Sequence, residues 1–495
     1  MLTRINAKYY EAFTMKTISI IGAVCTHELR TKVRAKTLLL LLPLLQLLVI
    51  TALLSCWYYV NNEQRAQTHW QAEVQRQWEA QPDRHPHRVA HYGTYSFRAL
   101  TPLSFLDSGV SDAVGNLLFL EAHRQNAVQF SEAQAGGLGG SFVKLTPASL
   151  LLIVWPLLLI AAAFDTVSSE RHSGRLRQFI SGGLSLPHWL LGKTLAYALL
   201  SLIFLLPLFV TALALAALAQ TEFTADIVSR LSLLFVLYFL YSLVWIGLIV
   251  GLSSLQSHSQ IVLAMLLGIW LLFVLVLPRF LTSHSLLAYD YPSRAQFEIQ
   301  LIEATKALGD SHNPNDPHFN AFKAKVLAEY GVSRIEDLPV NYAGIVMAEG
   351  ERLSAEVYAQ HYRDLVAQFE KQDALLNKFS VVNPYLLVRA LSMQLTASDS
   401  RHFYHFEQAS EDYRYQMIQK LNHLHAHQIS YTNNKTQRLS AEHWQDFSSF
   451  YYQIPGLDWS MAKLGNYWLS IAFWVLAPLL LLIFCSKRIR IYATT

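Results

Sequence analysis

The sequence predicts an all-α, polytopic membrane protein with six transmembrane helices and two extracytoplasmic domains, a smaller mixed one and a larger, mostly helical one. The chain has 495 residues and is 53% hydrophobic, yet 15% of its residues are charged. These charges are dense in some stretches and absent from others, which is typical of membrane spans joined to water-exposed domains. Six apolar stretches reach the length of about 20 residues that crosses a hydrocarbon core; they are residues 37–59, 146–165, 194–218, 231–252, 260–278 and 466–486.

The stretch 37–59, TLLLLLPLLQLLVITALLSCWYY, is the clearest span because it is rich in leucine and carries no charge. A mixed segment, residues 1–36, precedes it, and the apolar run is longer than the core of a signal peptide. We therefore expect no cleavable signal at this end of the chain.

Basic residues near the span ends predict the orientation. Lys and Arg are concentrated in residues 1–36, in the 166–193 loop and in the tail 487–495. With six spans these three segments share one side, so the positive-inside rule predicts that both termini and the loop are cytoplasmic. The net charge of +4 is too small to indicate a nucleic-acid partner.

The remaining polar residues form two blocks on the predicted outer side. Block one, residues 60–145, begins with a helical pattern, becomes rich in turn residues and ends near the flexible GGLGG of 136–140. Block two, residues 279–465, is predicted to be mostly helical. Its helical signals are an N-cap residue, Asp399, and an apolar stripe of Tyr358, Tyr362, Leu365, Phe369, Leu376 and Phe379. None of the three cysteines lies in the blocks, so we expect no disulfides there.

Known catalytic motifs do not fit this chain. Gly192-Lys193-Thr194 is no phosphate-binding loop, because Pro187 stands where the first glycine of that motif belongs. We interpret Lys193 as a cytoplasmic anchor beside the third span. No nucleophile constellation and no cofactor signal is recognisable, and the apolar spans carry no cluster of acids, bases or metal ligands.

Two groups of histidines raise the question of a metal site. They are His85, His87 and His91 in block one, and His423, His425 and His427 in block two. His423 and His427 share a helix face and are candidate ligands, but no third ligand is evident beside either group. We expect polar surface histidines rather than a metal site.

The 166–193 loop contains ERHSGRLRQFI, in which Leu176, Phe179 and Ile180 form a small apolar face among basic residues. Such a helix can lie along the membrane or dock into the groove of a partner. A plain positive-inside loop that only fixes topology explains the same composition. The residues alone leave both alternatives open.

The order of these features resembles the permease subunits of type-2 ABC transporters. Glu170, Arg171, Gly174 and Leu176 match the family's loop pattern, Pro187, Gly192 and Lys193 match its run into span three, and HELRTKVR at 27–34 matches the stretch before span one. More narrowly, the chain is similar to a subgroup with two large periplasmic insertions known as a domain of unknown function. The matching segments include 91–107, 120–126 and 383–406. One departure is Arg175, where the family commonly has threonine.

The resemblance implies a transport subunit, not itself an enzyme, in the bacterial inner membrane. Two copies, or two related permeases, would pair, and two separate ATP-binding cassette subunits holding ATP and Mg²⁺ would dock from the cytoplasm. The implied ATPase-coupling residues are Glu170, Arg171, Gly174, Arg175, Leu176, Arg177, Phe179 and Ile180, on one short helix. Glu28, Arg30 and Arg34 would belong to an amphipathic N-terminal segment along the membrane surface. Membrane lipid and a periplasmic partner would complete the assembly.

Two other classes of protein stay open. One is a membrane-anchored periplasmic interaction or sensor protein without transport activity, which would use the two polar blocks. The other is a membrane-embedded enzyme, which the near absence of ionisable residues in the spans disfavours. The same absence favours an amphipathic or apolar cargo if the chain is a transporter.

Overall fold

The structure, a computed structural model, describes residues 19–129, 145–219, 223–309 and 316–494. The start of the predicted N-terminal segment and the predicted flexible return at 136–140 lie outside these residues. The described chain is mostly α-helical, with one small sheet, and the prediction of a largely helical membrane protein is confirmed to that extent.

Six of the described helices are long and apolar enough to cross a membrane, as predicted. α1 covers residues 19–34, ahead of the first of them. The six are α2 (Thr37–Glu79), α4 (Pro147–Ser149, Leu150–Val154 and Trp155–Ala163), α7 (Leu186–Ala217), α8 (Ala225–Leu255), α9 (Ser259–Leu271, Leu272–Val276 and Leu277–Ala288) and α16 (Trp468–Thr494).

Local sequence explains irregularities in two of these helices. α4 and α9 each contain a π-helical turn, at Leu150–Val154 and Leu272–Val276, and each turn stands just before a proline, Pro156 and Pro278. Proline lacks the N–H that a regular α-helix needs, and a π-bulge is one way to absorb that loss without ending the helix.

Block one does not start with a separate element. α2 continues through residues 60–79 without a break, so the predicted first span and the predicted first helix of block one are one helix. After it come α3 (Pro86–Tyr92) and the strands β1 (Thr94–Phe97), β2 (Leu117–Glu121) and β3 (Arg124–Gln125). The strands form an antiparallel sheet in the order β1-β2-β3, with Thr94 opposite Leu120 and Glu121 opposite Arg124.

Block two is helical, as predicted. Its long helices α12 (Tyr342–Phe379) and α14 (Ser400–Gln428) pack along each other, and Asp399 caps α14 by accepting a hydrogen bond from the His402 N–H at 3.0 Å. The described chain also has α10 (Arg294–Leu308), α11 (Pro317–Glu329), α13 (Pro384–Leu395) and α15 (Leu457–Met461) in this block.

The two polar blocks, predicted as separate domains, share one hydrophobic core. Trp78, Val89 and Leu120 of block one are buried against Phe406 and Trp444 of block two. The indole Nε1 of Trp78 also donates to the carbonyl of Trp444 at 3.1 Å. Sequence distance concealed this pairing, because the partners are 366 residues apart.

One helix of block two is built into the span bundle. Val388 and Leu395 of α13 belong to the same buried core as the apolar helices. Asn383, which caps α13, donates its amide to the carbonyl of Phe273 in α9 at 2.9 Å, and Arg230 of α8 donates to the carbonyl of Leu395 at 3.1 Å. Hydrogen bonds therefore join block two to the spans along the buried face of α13.

Candidate functional site

The loop between α4 and α7 contains two short helices rather than the single helix predicted for residues 170–180. They are α5 (Ser168–His172) and α6 (Arg175–Ser181). Gly174 separates them with φ +77°, a left-handed conformation that favours glycine. Apart from its chain neighbours, no atom of the described residues lies within 4 Å of a Cβ built at Gly174, so the backbone conformation rather than crowding accounts for the glycine.

Lys193 lies at the centre of a buried cluster at the root of this loop. Its side chain is only 1% exposed, and Nζ lies 2.7 Å from Glu28 Oε2 and 3.0 Å from Glu170 Oε1. Nζ also donates to the carbonyl of Thr166 at 2.8 Å, so all three ammonium protons have acceptors. Lys193, interpreted from the sequence as a cytoplasmic anchor, is thus buried, and it joins α1, the loop and α7.

Glu28 is buried, although it was predicted to lie on a membrane-surface segment. Its Oε1 accepts hydrogen bonds from the hydroxyls of Thr166 and Tyr197, both at 2.6 Å. Burial opposes ionisation of this carboxyl, but Lys193 and the two hydroxyls outweigh that effect and lower its pKa. We call Glu28, Thr166, Glu170, Lys193 and Tyr197 the loop cluster.

Gly192 allows α1 to reach the loop cluster. A Cβ at this position would lie 2.8 Å from Val24 Cβ and 2.9 Å from the carbonyl oxygen of Ile21. The Gly192-Lys193 pair thus has a structural explanation: the glycine lets α1 lie directly on α7, and the lysine beside it binds Glu28 across that contact.

The start of the loop is also bonded to the end of α8 and to the first residue of α9. The backbone N–H groups of Val167 and Ser168 both donate to Ser253 Oγ at 3.1 Å, and the hydroxyls of Ser168 and Ser259 lie 2.8 Å apart. Arg171 donates to the carbonyls that end α8, at 3.2 and 3.3 Å. This part of the predicted coupling pattern is therefore engaged within the chain.

The outward part of the loop is α6. Arg175, Arg177 and Phe179 are exposed, Phe179 by 37%, whereas Ile180 is half-buried. Leu176 is buried in the main core and does not share the exposed face of α6 with Phe179, and its coupling role stays a prediction. Of the predicted N-terminal residues Arg30 and Arg34 are exposed, unlike Glu28.

The predicted metal candidates His423 and His427 lie on one exposed face of α14, with ring centroids 4.0 Å apart. In the described chain no group of three potential ligands includes them. His87 and His91 instead lie together with His123, which the sequence analysis did not single out. A histidine in a short turn gives no spacing signal by itself.

Six described helices are long and apolar enough to span a bilayer, which is consistent with a polytopic membrane protein. A family model described as Domain of unknown function (DUF3526) matches residues 296–453, which is most of block two and less than half of the chain. A search of curated proteins found no match. Block two is thus similar to a domain of unknown function, as the resemblance implied, and this description names no activity.

Proposed function

We propose that the chain is the permease subunit of an ABC transporter, which forms the substrate path and couples to separate ATP-binding cassette subunits through the 166–193 loop. The observation that carries the proposal is the division of this loop into two parts. α6 presents Arg175, Arg177 and Phe179 to solvent, whereas Glu170 at the loop's root is buried and ion-paired. To transmit a partner's motion, a loop needs an exposed face that the partner can bind and a buried end that is bonded to the spans.

The loop cluster supplies the path for that motion. A displacement of the loop must carry Lys193, and with it α7, or separate the Glu170 carboxylate from its buried cation. Separating a buried pair costs about 3–5 kcal/mol, so a movement of the elements together requires less free energy. Because Lys193 also binds Glu28, α1 follows the same movement.

The proposed assembly has two permeases, either two copies of this chain or this chain with a related one, and two ATPase subunits that hold ATP and Mg²⁺. It lies in a bacterial inner membrane with both termini and the loop in the cytoplasm and with blocks one and two in the periplasm. The basic residues of the loop and of α1 support this orientation. The apolar spans favour an amphipathic or apolar cargo.

A labelling experiment tests the orientation. The three native cysteines, none of which forms a disulfide, would be replaced by alanine, and single cysteines would be placed at Thr432 and at Ser181, both exposed. In intact cells an impermeant thiol reagent should label Thr432→Cys and label Ser181→Cys only after the membrane is opened. The reverse pattern would contradict the proposed topology.

The coupling role is tested at Phe179. Phe179→Asp places a charge on the exposed face of α6, and apolar anchors carry most of the energy of such interfaces. We expect the variant to insert normally but to lose ATPase co-purification and transport-linked ATP hydrolysis in proteoliposomes. Tyr431→Asp is the matched control, because Tyr431 is also 37% exposed but lies in block two.

Full activity of Phe179→Asp would show that the loop only fixes topology. Failure of any ATPase subunit to co-purify with the unaltered chain would instead favour an interaction or sensor protein. The first result would contradict only the coupling role of the loop, whereas the second would contradict the assignment of the chain to the ABC transporter permeases.

A further inference from the structure

Three histidines from two elements meet on the surface of the polar blocks. Each of His87, His91 and His123 offers a ring nitrogen within 4.8 Å of the other two. The ring centroids of His87 and His91 lie 4.7 Å apart, and those of His91 and His123 lie 5.4 Å apart. We call these residues the histidine triad; His87 is half-buried and the other two are exposed.

Backbone structure brings the triad together. His87 and His91 stand four residues apart on α3, which places them on one helix face. The N–H of Ala122, next to His123, donates to the carbonyl of Ala90 at 3.1 Å. Gly93, which ends α3 with φ +66°, permits this approach, because a Cβ there would lie 2.5 Å from the Phe119 ring.

His123 is held in a conformation that histidine seldom adopts. It occupies the two-residue turn between β2 and β3 with φ +64°, in the left-handed region. Such strain persists where the surrounding structure imposes it, and it is enriched at functional sites. Here the His123 N–H donates to Glu351 Oε2 at 3.1 Å, which fixes the turn on α12.

Glu351 also faces the ring of His123. Its Oε2 lies 3.6 Å from Nδ1, and the carboxylate is fully buried with Arg414 Nη1 2.6 Å from its other oxygen. A carboxylate close to one ring nitrogen is an arrangement that recurs behind metal-bound histidines.

We propose that His87, His91 and His123 bind a divalent late first-row transition-metal ion such as Zn²⁺, with Glu351 orienting His123 and a fourth position open to water. Three imidazoles suit zinc, copper and nickel and do not suit Mg²⁺ or Ca²⁺, which take oxygen ligands. With Zn–N bonds of about 2.0–2.1 Å, tetrahedral geometry needs nitrogens roughly 3.3 Å apart. To reach that separation, the two exposed histidines would rotate about their side-chain bonds.

The bound ion would join α3 to the β2–β3 turn and, through Glu351, to α12. It would thus add a cross-link between blocks one and two, which already share a core. This inference is independent of the proposed transport function, because none of its residues lies in the loop or in the apolar helices.

The test uses the full chain in detergent, stripped with a chelator and titrated with Zn²⁺. We expect about one high-affinity Zn²⁺ per chain and a melting temperature that rises with Zn²⁺ and not with Mg²⁺. His91→Ala and His123→Ala should each weaken binding at least about tenfold, since each removes one of three ligands. Both side chains are exposed, so these variants should fold.

His423→Ala and His427→Ala are the matched controls, because these two stacked, exposed histidines have no third ligand beside them in the described chain. Both controls should retain full zinc affinity. The proposal is overturned if the unaltered chain binds no Zn²⁺, if the double variant His91→Ala/His123→Ala binds as tightly as the unaltered chain, or if the controls lose affinity equally.

Discussion

Two regions of the molecule contain the same arrangement, in which one buried cation lies between two carboxylates. Lys193 lies between Glu28 and Glu170 in the loop cluster, and Arg414 lies between Glu351 and Glu411 in block two. Both cations are 1% exposed. Burial of either cation would therefore be unfavourable without its carboxylate partners.

The difference lies in what the cations join. The carboxylates of Lys193 come from α1 and from the loop, 165 and 23 residues away, so this cluster connects three elements where the loop meets the bundle. Glu411 is only one turn from Arg414 on α14, and Arg414 also donates to the carbonyl of Glu121 at the end of β2. Arginine, with its rigid fork, suits a fixed junction, whereas a flexible lysine can follow a moving partner.

The largest effect is expected at Arg414. Arg414→Met should lower the stability of the polar blocks by about 3–5 kcal/mol, because it leaves the fully buried Glu351 without its cation. Thermal unfolding of the full chain in detergent measures this. Arg352→Met is the control: Arg352 is 41% exposed on α12 and its ion pairs should contribute less than about 1 kcal/mol. Equal losses would contradict the difference between buried and surface pairs.

A somewhat smaller loss is expected at Lys193. Lys193→Met should cost about 3 kcal/mol, at the low end of the range for buried pairs, because the Glu170 side chain is 11% exposed whereas that of Glu351 is fully buried. Adding Glu28→Gln should restore part of the stability, since it removes one of the two stranded charges. Lys32→Met, which breaks the more exposed pair with Asp165, should cost under about 1 kcal/mol. A double variant less stable than Lys193→Met would contradict the ion-pair account.

Glu407 in α14 shows what burial does to a carboxylate outside such a pair. Burial raises its pKa to about 7, against the opposing effects of a hydrogen bond from Tyr362 and of the nearby Arg98. The folded state therefore holds this proton more tightly than the unfolded state, and stability falls as pH rises from about 4.5 to 7. Glu407→Gln should remove on the order of 2 kcal/mol of that decline between pH 5 and 8. Parallel pH–stability curves for variant and parent would contradict it.

Hydropathy and periodicity predicted much of this fold because they report local constraints. The six apolar helices, the stripe on α12 and the cap at Asp399 are each encoded within one segment. The loop cluster is different, because nothing in the sequence shows that Glu28 meets Lys193 across 165 residues. The shared core of the two blocks was missed for the same reason.

The histidines show the limit for a candidate site. The i, i+4 spacing of His423 and His427 was visible, but it was equally present in His87 and His91, and only the fold places a third histidine beside one pair. The available signal was His123 shortly after the apolar run LLFLE at 117–121. That signal is weak, because a turn does not show which helix lies beside it.

The smallest predicted effect separates backbone strain from packing in the loop. Gly174→Ala should destabilise by about 1 kcal/mol, because an alanine at φ +77° is strained even though no atom lies near its Cβ. Gly182→Ala is the matched control in the same loop, since Gly182 has φ −77° and its Cβ would meet ordinary contacts at 3.4 and 3.5 Å. That change should be neutral or slightly stabilising, because alanine restricts the unfolded chain. Thermal unfolding of both variants in detergent measures the difference. If Gly174→Ala were as stable as Gly182→Ala, the break between α5 and α6 would not depend on glycine, and a single continuous helix over residues 170–180 would again be tenable.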